Sequence, residues 1–145
     1  MRKTLAIRLS KVSDSNIKLN ELGSENPEVQ IRAWGLLRNL AVIGDNKKEI
    51  WEMVRDLGLK AALGSANSEL KIQAWGLLAN LSVIMDNKKE IWEIVSDQEI
   101  AGTLKAELGS ANSELRIRAW GLLANLSELT DNKKEICEVV SEPGL

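Results

Sequence analysis

A chain of 145 residues, 44% hydrophobic and 28% charged, is long enough for one packed domain and too apolar to remain unfolded. Its 19 basic and 21 acidic residues are interspersed and leave a net charge of −2, which excludes the basic stripe that DNA or RNA binding needs. The sequence has no apolar run of membrane-spanning length and only one cysteine, Cys137, which fits a reducing compartment.

The opening residues, MRKTLAIRLS, are basic and then partly apolar, but Arg8 interrupts them too early for a signal-peptide core. The cytosol or the nucleus is therefore the expected location. Asn26 followed by Pro27 is a cap and first-turn pair, and predicts a helix from Glu28 to about Val42. Asn46 with Glu49 fits a capping box, predicting a helix through Ile50, Met53 and Val54. A short helix is expected to end at the glycine of each LGS, for example Leu104 to Leu108 before Gly109. Long helices near 69–83 and 114–129 should match the first. Nothing alternates with period two, so the expected class is all-α.

The chain repeats itself. AWGLLRN at 33–39 returns as AWGLLAN at 74–80 and 119–125; DNKKEI stands at 45–50, 86–91 and 131–136, and LGS at 22–24, 63–65 and 108–110. The tryptophans of the first motif, Trp34, Trp75 and Trp120, are 41 and then 45 positions apart. The extra four residues lie where RDLGLKAALGS becomes SDQEIAGTLKAELGS. Four residues are close to one helical turn, so the insertion lengthens a helix while nearly keeping its facing. Residues 64–91 and 109–136 agree at 23 of 28 positions, as recent duplication or deliberate design would leave them. The expected organisation is one repeat domain: a first repeat over 1–43, a second over 44–84, a third over 85–129, and a terminal helix over 130–145.

On a helical wheel Glu28, Arg32, Gly35 and Asn39 fall within about 40° of one line, opposite a broad apolar face. The same stripe reads Glu69, Gln73, Gly76, Asn80 in the second repeat and Glu114, Arg118, Gly121, Asn125 in the third. A mid-helix glycine costs roughly 1 kcal/mol relative to alanine. Its recurrence marks either close packing of a neighbouring helix or a notch where another chain's backbone approaches. The recurrent asparagine is either a solvated, locally capping amide or one presented to a partner. The three tryptophans are expected between repeats, with Trp51 and Trp92 also in the core and Cys137 in the equivalent place. The lysine pairs 47/48, 88/89 and 133/134 read as a solvated face, or as a basic ridge for an acidic partner.

NPEVQIRAWGLLRNLA at 26–41, followed by GDNKKEIWEMV, resembles the armadillo repeat over almost the whole chain. The resemblance implies an armadillo-type α-solenoid of about ten helices, right-handed, whose third helices line a concave groove. It further implies that Asn39, Asn80 and Asn125 hydrogen-bond the main chain of an extended peptide. Two departures matter. Importin-α-like members carry a tryptophan four residues before that asparagine, where this chain has Gly35, Gly76 and Gly121 as in the β-catenin-like pattern, so binding of nuclear-localisation signals is not supported. The usual GAIPPLV-type linker is replaced by DLGLKAAL and DQEIAGTLKAEL, which affects the pitch.

No enzyme, metal site or cofactor is expected: the chain has no His and no Tyr, one Cys, and no Gly-rich phosphate loop. The expected function is binding of a protein or extended peptide along the Glu, Arg/Gln, Gly and Asn stripes. The alternative is a structural module that associates with itself through its C-terminal end, where Ile136, Val139 and Val140 lack following helices. A designed or reconstructed repeat protein without an evolved ligand is a form of that alternative.

Overall fold

A computed structural model describes residues 21–129 and 133–141, apart from the side chains of Val139 and Ser141. The expectations for residues 1–20, for the start of the terminal segment at 130–132 and for residues 142–145 lie outside these. Among the described residues the protein is all-α, with eight α-helices and two 3-10 turns at Glu21–Gly23 and Gly44–Asn46. The helices are α1 (Pro27–Leu40), α2 (Lys47–Val54), α3 (Leu59–Leu63), α4 (Ser68–Leu81), α5 (Met85–Val95), α6 (Gln98–Leu108), α7 (Ser113–Leu126) and α8 (Lys133–Ser141). None is long and apolar enough to cross a membrane.

Each unit is built on a long helix of 14 residues: α1, α4 and α7. The LGS-x-Asn sequence before each one both ends a shorter element and starts the long one. Asn26, Asn67 and Asn112 accept from backbone N–H groups in the first turn through Oδ1. Their own N–H groups donate to Ser24, Ser65 and Ser110 at 3.0–3.1 Å. Two of the orphan donors at each helix start are thus answered locally in α1 and α7, and one in α4. The long helices stop a little earlier than their apolar pattern, with Ala41, Ser82 and Ser127 as C-caps. The four-residue insertion falls on the middle helix: α3 has 5 residues and its counterpart α6 has 11.

α1 packs along α4, and α4 along α7. The core runs through these junctions, with Trp34, Trp75, Leu77, Leu78, Leu81 and Leu122 fully buried. Every tryptophan of the repeated motif makes the same bond. Its Nε1–H donates to the carbonyl of the leucine in LGS: Trp34 to Leu22 at 2.9 Å, Trp75 to Leu63 at 3.3 Å, and Trp120 to Leu108 at 3.2 Å. The ring fills the unit while its one polar atom ties the long helix to the turn before it. Trp51 is also buried, with Nε1 donating to Glu90 at 3.1 Å, whereas Trp92 is half-buried and Cys137 is exposed.

The DNKKEI segments correct two expectations. Asn46 makes no side-chain cap to the helix after it; it is buried and donates backwards to the carbonyl of Leu40 at 3.2 Å. Asn87 does the same to Leu81 at 2.9 Å and also reaches the carbonyl of Lys47 at 3.2 Å. Lys47 and Lys88 are neither a solvated face nor a ridge. Both are buried, Lys47 donating to the carbonyl of Ala41 and Lys88 to those of Ser82 and Val83. The C-terminus of a long helix leaves carbonyls unpaired and carries partial negative charge, so an ammonium and an amide folded over it satisfy both. Lys48, Lys89, Lys133 and Lys134 are exposed.

Candidate functional site

The stripe positions lie along the long helices, but neighbouring units reach most of them first. Glu28 and Arg32 form an exposed ion pair at 3.4 Å, Glu69 is exposed, and Glu114 pairs with Arg118 at 2.7 Å. A Cβ added at Gly35 would meet Oε1 of Gln73 at 3.4 Å. One added at Gly76 would lie 2.7 Å from Nε of Arg38, and one at Gly121 would meet nothing within 4 Å. The first two notches therefore receive side chains of an adjacent unit; the third is open.

The asparagines divide in the same way. Asn80 donates through Nδ2 to the carbonyl of Arg38 at 3.1 Å, and Asn125 to the carbonyl of Ala79 at 2.9 Å and to Oγ of Ser82 at 3.0 Å. Each acceptor carbonyl lies in or beside the last turn of the preceding long helix, where intrahelical donors run out. Asn39 is exposed, and its side-chain amide makes no hydrogen bond to another described residue. An amide carries two N–H donors and one acceptor oxygen, so Asn80 keeps one N–H and its oxygen, while the donors of Asn125 are both engaged.

Arg38 bridges the units at a position that the stripe alone does not reveal. Its Nη1 donates to Oε1 of Gln73 at 3.2 Å, and its Nη2 lies 3.9 Å from Oε2 of Glu114. One side chain of α1 thus crosses Gly76 on α4 and reaches α7. Burial, and then the nearby Arg118, push the Arg38 guanidinium below its ordinary pKa, while Glu114 draws it back up. The sequence holds the signal in plain view: position 38 is the one place where AWGLLRN differs from AWGLLAN, with Ala79 and Ala124 as its counterparts.

Two adjoining depressions open beside α1. The larger, about 520 Å³, is lined by Ile31, Arg32, Gly35, Leu36, Arg38, Asn39 and Gln73. The smaller, about 380 Å³, shares Ile31 and Arg32 with it and adds Pro27, Glu28 and Glu69. Together they gather Glu28, Arg32, Gly35 and Asn39 of the first stripe with Glu69 and Gln73 of the second. Gly76, Asn80, Glu114, Arg118, Gly121 and Asn125 line neither. Among the described residues no group of three His, Cys, Asp or Glu side chains is placed to hold a metal ion. No protein-family model matches this chain, and no curated protein shows significant similarity to it.

Proposed function

We propose that the chain is a non-catalytic α-solenoid of armadillo type that holds an extended segment of another protein along its first two long helices. The observation that carries this reading is the pair of connected depressions beside α1, which together collect six stripe residues from two units. Their lining supplies a donor and an acceptor for main-chain capture in the exposed amide of Asn39, with the amide of Gln73 beside it over Gly35. Selectivity would come from Ile31 and Leu36 beside the guanidinium groups of Arg32 and Arg38, a surface suited to a segment with neighbouring apolar and acidic side chains. The non-catalytic part rests on the residue inventory, with no His and a single exposed Cys137.

A display selection of short peptides against the purified chain tests this directly. Peptides recovered on the wild-type protein should lose about tenfold in affinity, roughly 1.4 kcal/mol, for Arg32→Ala and for Asn39→Ala. Both positions are exposed, so helicity should stay unchanged. A selection that yields no binder, or binders indifferent to both substitutions, removes the reading.

A further inference from the structure

The two ends of the described stack present opposite halves of one junction. Every long helix has a leading side, which in α4 and α7 meets the preceding unit, and a trailing side, which in α1 and α4 meets the following one. On the leading side Leu77 and Leu122 are fully buried, yet their counterpart Leu36 on α1 is 59% exposed. Leu70 and Leu115 are likewise buried, whereas Val29 is 37% exposed. On the trailing side the pattern reverses. Trp34 and Trp75 are fully buried and Trp120 is 49% exposed; Ile31 and Ile72 are half-buried and Ile117 is 61% exposed. The notch at Gly35 is likewise filled by Gln73 of the following unit, while that at Gly121 is open; the notch at Gly76 is filled from the preceding unit, by Arg38.

Both internal junctions use one hydrogen bond in register: Asn80 to the carbonyl of residue 38, and Asn125 to the carbonyl of residue 79. Residue 124 is the next carbonyl in that series, and Asn39 is the stripe asparagine whose side-chain amide no described residue engages. We propose that the trailing face of α7 takes the leading face of α1 from a second copy of this chain, continuing the stack through the junction already used twice inside it. In that contact Asn39 of the second copy donates to the carbonyl of Ala124, its Leu36 and Val29 cover Ile117 and Trp120, and its Arg32 lies over Gly121. Because the two faces differ, the contact is heterologous, and copies add end to end rather than pairing off. This goes beyond the groove reading and draws on the same residues, since Leu36, Arg32 and one N–H of Asn39 enter the junction, so a stacked copy and a captured segment compete for that part of the larger depression.

Two full-length variants with exposed substitutions separate the faces: Leu36→Glu keeps only the trailing face and Ile117→Glu only the leading one. In light scattering, the wild-type mass should rise with concentration past that of a dimer. Each variant alone should stay at the monomer mass, and their equimolar mixture should stop at twice that mass. Wild-type tryptophan emission should shift to the blue over the same range as Trp120 leaves water, and should not shift for Ile117→Glu. A wild-type monomer at every concentration overturns the proposal, as does a mixture that fails to pair. Dimers of Leu36→Glu alone overturn it too, by showing a trailing-to-trailing contact. Ile117 lines neither depression, so peptide capture measured on monomeric Ile117→Glu stands or falls independently of stacking.

Discussion

The amides of Asn80 and Asn125 lie between long helices, so each serves a neighbouring carbonyl before any ligand arrives. Asn80→Ala leaves the carbonyl of Arg38 without its partner and is expected to lower stability by about 1 kcal/mol. Asn39→Ala, at an exposed position, should stay within about 0.5 kcal/mol. Urea denaturation of the two variants checks the contrast, and equal values would mean that the inter-unit bond contributes nothing. The glycines give a second pair. Gly121→Ala meets open space and should stabilise by about 0.5–1 kcal/mol through helix propensity. Gly76→Ala should gain less, because its Cβ displaces Arg38 from its contact with Gln73. The wheel was enough to align Glu, Arg or Gln, Gly and Asn on one line. It could not tell that the adjacent long helix runs close enough to use that line, because the distance between two helix axes is set by side chains of both.

At the scale of the element, the DNKKEI segment is a clasp over the end of the helix before it. Asn46 and Lys47 close α1, and Asn87 and Lys88 close α4. A matched pair tests this: Lys88→Met strands the carbonyls of Ser82 and Val83 and should cost roughly 1–3 kcal/mol, while Lys89→Met, on the exposed neighbour, should change little. A thermal melt distinguishes them. The order and approximate limits of the long helices were legible because caps, the LGS stops and the apolar period agree; the number was not, since the described residues form eight α-helices against the about ten expected. The clasp was not. Asn46 with Glu49 satisfies the local pattern of a capping box, and only the folded chain brings the orphan carbonyls of α1 within reach as a competing demand. The same proximity explains a cation at a helix start: Lys47 and Lys88 stand in a first turn by sequence, where the dipole disfavours them, but over a last turn in space, where it favours them.

Across the whole molecule, stability is shared between units and the junctions that join them. Truncating Trp34 to Ala in the enclosed first junction should cost about 3–5 kcal/mol. Trp120→Ala should cost distinctly less, because half of that ring already faces water. Denaturant midpoints of the two variants provide the check, and a similar loss for both would mean that the rings act within their own units alone. Repetition also raises a problem of order. α4 and α7 differ at only two of 14 positions, Lys71 against Arg116 and Gln73 against Arg118. An unfolded α1 therefore meets two nearly identical surfaces, and docking on the wrong one is the characteristic error of repeat proteins. Arg38 tells them apart. Against α4 it finds the carbonyl oxygen of the Gln73 side chain, with Gly76 leaving room to lie flat. Against α7 it would meet the guanidinium of Arg118 in the same position, a like charge where an acceptor is needed. The side chain that crosses three units in the finished fold thereby works as an address label, assigning α1 to its correct neighbour before the stack is complete.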